Sequence, residues 1–311
     1  MNIYAGDSGR STVPVGPLVS VVIATNRGGP FLVEALDSVL AQSYPRIEIV
    51  VVDDGAEDAA TLAAIIGGYP SVRLIRQANA GPSVARNNGA ARTSGEILVF
   101  LDDDDRWHPQ RIALQVESLE RQPAAVVSYC AMQIIDVAGD VLVPADQRQV
   151  LDVHEILRRR TGIMLPNLMV RREAFWRVGG FHPALRLAED LDLVLKLALE
   201  GEFVFVPETG TDYRFHGANS TARHHDLCRS IDGIVRLHRL AARETGRWDL
   251  VADHNVSLQA NRRFAAWSSA RSARNLLANR HFARVGAEAL WLARFAPTAP
   301  FDWLAGRRSK D

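Results

Sequence analysis

Four consecutive aspartates, Asp102 to Asp105, follow directly on the apolar residues 97–101 in the stretch EILVFLDDDDRWHPQR. An unbroken apolar run of that length reads as a strand covered on both faces, the pattern of a parallel sheet with helices above and below it. Such a strand delivers its carboxylates to the carboxyl end of the sheet. Adjacent like charges raise one another's pKa values, so the cluster requires either a cation or full solvation. If the aspartates stay extended, Asp102 and Asp104 point one way and Asp103 and Asp105 the other. A same-side pair of hard oxygen donors suits Mg or Mn better than zinc, because these ions keep their other positions for water and phosphate oxygens. The spaced ligands of an EF-hand calcium loop are absent. A solvated turn at a strand end explains the run equally well.

From Leu18 onward, β-rich runs alternate with helical patterns. Residues 19–24, 47–52 and 72–76 read as strands, and helices are predicted over 31–42, from about 58 to 66, and from Pro82 to about Arg92. Pro82 suits a first helical position after a turn at Gly81. Strand and helix in alternation imply right-handed crossovers and a largely parallel sheet with helices on both faces. Ligands of such sheets bind beyond the carboxyl ends of the strands, where Thr25, Asp53, Asp54 and the four aspartates all lie. The second half is less regular. Strands are expected over 126–135, 141–143, 203–207 and 211–216, and helices over 173–178 and 188–200. From about residue 221 the pattern is helical, with Trp248, Trp267, Trp291 and Trp303 scattered through basic sequence.

Several of these positions carry groups with chemical options. Asp53 and Asp54, in VVVDDGAED, can accept hydrogen bonds from a nucleobase or ribose, or can simply form a turn with Asp58 capping the next helix. The segment NAGPSVARNNGA combines a glycine turn, a helix start and Arg86 one turn in. Backbone amides and a guanidinium suit phosphate there, although a routine helix start looks the same. Glu189 and Asp190 open a predicted helix, where the dipole alone favours acids. Projecting into the crevice, a carboxylate there can take a proton from an attacking hydroxyl. In YRFH, strand alternation puts Arg214 and His216 on one face, so His216 is a candidate metal or phosphate contact as well as an ordinary surface histidine.

Composition sets the outer limits. With 47% hydrophobic residues in 311, the chain can bury a substantial core, so disorder is excluded as its main state. Lys plus Arg equals Asp plus Glu at 36 each, yet residues 221–311 hold 16 basic and 8 acidic side chains, leaving that tail at +8 and the rest at −8. A basic tail on an acidic body points to two functional regions. The tail can serve as an acceptor-binding region, a homodimer contact or a peripheral membrane contact at an anionic surface. A nucleic-acid partner is not expected, since the chain as a whole is neutral and carries no reader motif. Cys130 and Cys228 are too few and too far apart for a disulfide scaffold or a thiolate metal site. With no signal-peptide pattern and no run near the roughly 18 to 20 apolar residues of a spanning helix, a cytoplasmic location is expected, in part at the inner membrane face. Residues 1–17 read as a flexible leader.

Taken in order, VSVVIAT, SVLAQSYP, IEIVVVDDG, NAGPSVARNNGA, GEILVFLDDDDRWHP, RREAFWRVGGF, AEDLDLVLKL and YRFHGANST closely resemble the family 2 glycosyltransferases of GT-A fold. Each motif is weak alone; their order and spacing are specific. The resemblance covers residues 18–221 and implies an α/β, Rossmann-like sheet, mostly parallel with helices on both faces, followed by a helical C-terminal region at 222–311. It implies inverting, metal-dependent transfer of a sugar from a nucleoside diphosphate sugar, with UDP the favoured base, to an acceptor hydroxyl on a glycan, glycolipid or small molecule. Under that resemblance Thr25, Asp53, Asp54, Arg86, Asn87, Asp102 and Asp103 bind the nucleotide. Asp104, with Asp102 and His216, holds Mn or Mg. Asp190 is the implied general base, with Glu189 beside it. The chain departs from the family at Ala24-Thr25-Asn26-Arg27, where the aromatic that stacks on the base is missing. It also lacks the Q-x-x-R-W type motif of processive synthases, which favours single addition. Two other readings compete: a catalytically inactive nucleotide-sugar binding module, and a sugar nucleotidyltransferase, whose glycine-rich signature loop TNRGGPFL matches poorly.

Overall fold

The computed structural model describes residues 16–298 apart from 218 and 220–222, so most of the expected leader, the expected boundary at 221 and Trp303 lie outside the described residues. The sheet grows from β1 (Val19–Thr25), flanked in parallel by β2 (Ile47–Asp54) and β4 (Ile97–Asp102), with β3 (Val72–Gln77) parallel on the far side of β2. Successive residues of β1 serve opposite cores. Val21 and Ile23 pack with Leu36 of α1 (Pro30–Leu40) and Leu62 of α2 (Ala59–Gly67), whereas Val22 packs with Val50, Phe100 and Ala85 of α3 (Pro82–Ala91). Burial on both faces is why these strands read as continuous apolar runs.

Local chemistry fixes where the crossover helices start. The Asp58 side chain accepts from the Thr61 amide to cap α2, and Pro82 opens α3 directly after Gly81, whose φ of 92° favours glycine. Further along α3, a Cβ on Gly89 would lie 2.5 Å from Val22 Cγ1 and 2.9 Å from Val52 Cγ2. Glycine is what lets this helix press against the sheet.

The second half adds β5 (Arg106–Trp107), α4 (Arg111–Arg121), β6 (Ala125–Ile135), β7 (Val141–Val143), α5 (Val153–Leu157), β8 (Leu168–Arg171), α6 (Arg172–Arg177), α7 (Glu189–Leu197) and β9 (Glu202–Arg214). The sheet order is β3-β2-β1-β4-β8-β6-β9-β5, with β7 paired to β6. The expected parallel sheet holds for β1 to β4 and for β6 against β9, but β8, β5 and β7 run antiparallel to their neighbours. Two short strands expected over 203–207 and 211–216 are one strand, β9. Its pairing jumps from Val206 opposite Cys130 to Thr209 opposite Ala131, an irregularity beside Pro207, which has no amide hydrogen to donate. The helix expected over 188–200 is the shorter α7, and Ala188 before it is left-handed at φ 57°.

Beyond β9, α8 (His224–Glu244), α9 (Trp248–Ala278) and α10 (Phe282–Phe295) form the helical C-terminal region. Ile231, Ile234 and Val235 of α8 and Leu250 and Leu258 of α9 belong to the same core cluster as Phe100 and Phe175. Among the described residues no helix is long and apolar enough to cross a membrane. Both cysteines are buried and free.

Candidate active site

The parallel register brings the expected strand-end residues onto one edge. Thr25 lies opposite Asp53, and Ala24 opposite Asp102, so β1, β2 and β4 end together. Past Asp102 the chain does not stay extended: Asp103 and Asp104 form a turn before β5. The expected pairing of Asp102 with Asp104 is therefore replaced by another division. Asp102 faces Arg86, Asp103 and Asp104 both face Arg27, and Asp105 turns inward, where its Oδ1 accepts from the Arg214 amide at 2.8 Å.

Arg27 is the cation that meets the run. Its Nη2 lies 2.8 Å from both Asp103 Oδ1 and Asp104 Oδ2, and Thr25 Oγ1 donates to Asp103 Oδ2 at 2.5 Å. The hydrogen bond to Asp103 in particular raises the Arg27 pKa. On the other side, His216 Nε2 lies 2.9 Å from Asp104 Oδ2, and its ring stacks on Phe31. Arg214, fully buried, donates from Nε to the Asp104 carbonyl at 3.0 Å, holds Glu34 through Nη2, and lies over the Phe31 ring. Arg214 and His216 thus both contact Asp104, although the strand expected to carry both ends at Arg214, so His216 reaches the turn from the loop beyond β9. Burial, reinforced by Asp102 and Asp103 and opposed by His216 and Arg27, raises the Asp104 pKa. Burial and the same neighbours drive Asp105 well above the usual carboxylate range. Negative charge at this turn is under-compensated, and a guanidinium already sits between two of its carboxylates. Hard oxygens plus one imidazole fit a divalent ion of the Mg or Mn class.

Arg86 joins this turn to the opposite wall. Buried on α3, it lies 2.6 Å from Asp102 Oδ1 through Nη2 and 2.6 Å from Glu189 Oε1 through Nη1. Burial alone would lower its pKa; Asp102 and Glu189 more than reverse that and keep it charged. Next to Glu189, Asp190 accepts from the Leu165 amide at 3.2 Å and from its neighbour Leu191 at 2.8 Å. Burial, then repulsion from Glu189, pushes the Asp190 pKa up to about 6 against the pull of those amides and Arg86. A half-buried carboxylate with that pKa is matched to proton transfer near neutral pH. The charge of Arg159, held at φ 56°, also acts on Asp190, and its Nη1 is buried with no hydrogen-bond partner among the described residues.

Other expected site residues lie outside this cluster. Asp54 accepts from the Ala80 and Gly81 amides at 2.8 and 2.9 Å and from Gln77 Nε2, so both its oxygens hold the loop that leads into α3. Asp53 accepts from the Ala56 amide at 2.8 Å, with Arg76 at 3.7 Å. Asn87, about 100° round the helix from Arg86, binds the Phe181 backbone through both ends of its amide, at 2.7 and 3.0 Å. Arg27, Arg159, Arg214 with Phe31, and Glu34 were not singled out from the sequence as site residues. Only the strand position of Arg214 hinted at its place.

The pattern of glycosyl transferase family 2 matches residues 20–179. An uncharacterized glycosyltransferase of Rickettsia prowazekii is 31% identical over 217 residues, covering 66% of this chain and 66% of the relative. Another, from Nostoc sp., is 31% identical over 214 residues and covers 65% and 66%. The chain thus spans about two-thirds of the length of these curated relatives. The crystal structure of S. aureus TarS 1-349 superposes with a TM-score of 0.59 at 18% identity, covering 76% of this chain and 70% of that one. TarS 1-349 in complex with UDP-GlcNAc gives 0.56 at 17%, covering 72% and 66%. These structural likenesses establish the fold, a GT-A sheet with a helical C-terminal region. With strand order, acidic turn and family pattern in agreement, the chain belongs to glycosyl transferase family 2.

Proposed function

We propose that this glycosyltransferase moves a sugar from a nucleoside diphosphate sugar to an acceptor hydroxyl with inversion, that it depends on a divalent metal, and that Asp190 is its general base. The observation that carries the reading is the pair of walls joined by Arg86: Asp102, Asp104 and His216 on one side, Asp190 on the other. UDP is the favoured base, supported by TarS, a structural neighbour, having been crystallised with UDP-GlcNAc and with UDP.

Asp104 and His216, with Asp102 nearby, are the residues that would hold the metal. A Mn or Mg ion bound there supplies Lewis-acid stabilisation of the negative charge that grows on the departing diphosphate. Thr25, Asp103 and Arg86 orient the donor side, with Asp53, Asp54 and Asn87 shaping the loops around it. Asp190 takes the proton from the acceptor hydroxyl as the new glycosidic bond forms on the face opposite the diphosphate. A single protein carboxylate does proton work, because the leaving group is already a stable anion. Glu189 holds Arg86 charged and raises the basicity of Asp190.

The acceptor is a glycan, glycolipid or small molecule. Contact with an anionic membrane surface or a second copy of the chain is supported by the exposed Leu237, Trp248, Trp267 and Phe282 of the basic C-terminal helices. The test of the activity is donor turnover with Mn across UDP-, dTDP- and GDP-sugars, wild type against Asp190→Asn. Thermal-shift screening of the matching diphosphates identifies the base. Absence of Mn-dependent turnover with every donor would sink the catalytic reading and leave a nucleotide-binding module.

A further inference from the structure

A second group of ligand-type side chains, made by residues other than those of the cleft, sits where the C-terminal helices meet. His224 and His225, the first two residues of α8, both aim Nε2 at Glu288 Oε1, at 2.8 and 2.9 Å. The three ligand atoms lie within 4.8 Å of one another. Successive helical residues point about 100° apart, so two adjacent imidazoles meet at one oxygen only with their rings turned together; the ring centroids are 4.3 Å apart. Glu288 is buried, and it is the one buried residue of α10. Its other oxygen accepts from Ser272 Oγ at 3.3 Å, and the Trp291 ring stacks on His225 with centroids 3.9 Å apart.

We propose that His224 Nε2, His225 Nε2 and Glu288 Oε1 form a zinc-type metal site, separate from the sugar-transfer cleft, that fastens α10 to the start of α8. Two imidazoles and a carboxylate are the donor set of a three-ligand zinc centre, with a further position left for water. Metal–ligand distances of about 2.0 to 2.2 Å put tetrahedral ligand atoms about 3.3 to 3.5 Å apart, so each imidazole needs to move from Glu288 by only about half an ångström, and the two imidazole nitrogens lie within 4.8 Å of each other. The His225 side chain is 34% exposed, which gives solvent access to the open position. Ser272 fixes the carboxylate from behind, as outer partners of metal ligands do. Nitrogen donors favour zinc over Mn and Mg, whereas the oxygen-rich turn at Asp104 has the opposite preference. The two sites are therefore separable by metal. Without a metal, α10 is docked through a buried carboxylate that merely accepts two N–H bonds; a bound ion replaces both with coordinate bonds.

The test uses the full chain, stripped of metal and carrying Asp104→Asn and His216→Ala so that the cleft no longer contributes. Equilibrium dialysis against zinc, with bound metal measured by mass spectrometry, should find one equivalent held. Adding Glu288→Gln, or separately His225→Ala, should weaken that binding at least tenfold with the far-UV circular dichroism unchanged. Equal zinc retention with and without those substitutions overturns the proposal and leaves a hydrogen-bonded His–Glu–His group. A second measurement needs no variant: zinc-edge anomalous diffraction from crystals of the wild-type chain should show a peak among the three ligand atoms. Absence of a peak there at saturating zinc also overturns it.

Discussion

As the proposed general base, Asp190 would have to be ionised to accept a proton, and its pKa of about 6 would set the pH at which that happens. Because the shift is upward, the base is disabled as pH falls through about 6: kcat/KM should drop about tenfold per unit below that point and level off above it. Glu189 contributes to the shift by repulsion, so Glu189→Gln should move the acid limb of the profile to lower pH. An unmoved limb in that variant would mean that another group titrates. Asp190→Asn should lower kcat by about 10²- to 10⁴-fold while leaving the nucleotide thermal shift intact. Arg27 offers a different test. Its side chain is 46% exposed, so its pairing with Asp103 and Asp104 adds at most about 1 kcal/mol, yet it competes with any ion at those carboxylates. Arg27→Ala should melt slightly earlier without metal and show a larger upward shift with Mn than the wild type; equal shifts would place the ion elsewhere. Asp104, Asp190 and His216 were singled out through the order and spacing of the motifs around them, since each alone also has an ordinary structural reading as a solvated turn, a helix start or a surface histidine. Arg27 was not, since nothing in TNRGG says which way a long side chain folds back. Asp54 shows the converse: its place at the strand end was legible, but not that loop amides would occupy both its oxygens.

At the level of elements, β1 to β4 and α1 to α3 follow the sequence closely, because strands buried on both faces and crossover helices leave an unmistakable apolar rhythm. The elements that escaped notice have other causes. On α4 the buried Ile112, Val116 and Leu119 do keep a helical spacing, but they share the inward face with Arg111 and Gln115, both buried, with Arg111 against Trp107. β5 is only two residues long, and β8 four, too short for alternation to register. The packing of α3 was also hidden, since Gly89 looks like any small residue in NNGAA. Gly89→Ala should cost about 1 to 3 kcal/mol, read by urea unfolding, because its methyl would overlap Val22 and Val52. The displaced helix carries Arg86, so donor affinity should fall along with stability. Full activity in a destabilised variant would show that α3 can shift without disturbing the cleft.

For the molecule as a whole, the acidic sheet edge lies in the −8 body, whereas residues 224–295, which form α8 to α10, hold 12 of the tail's 16 basic and 6 of its 8 acidic side chains. If the tail meets an anionic surface, the full chain should cosediment with phosphatidylserine-containing liposomes at low salt and be released as ionic strength rises past about 0.15 M, where screening acts within about 8 Å. Protein that stays in the supernatant at low salt removes the membrane version and leaves acceptor binding or dimer formation for these helices. Arg86 has a reach of the same kind within the sheet domain. A single guanidinium answers to Asp102, encoded in the first third of the chain, and to Glu189, encoded well after it. A chimera with its crossover between α4 and α7 should therefore keep activity only where the incoming segment supplies a carboxylate at position 189 to meet Arg86, as a kcat/KM comparison of such chimeras would show. The two walls of the candidate site are thus coupled through one side chain and do not vary independently.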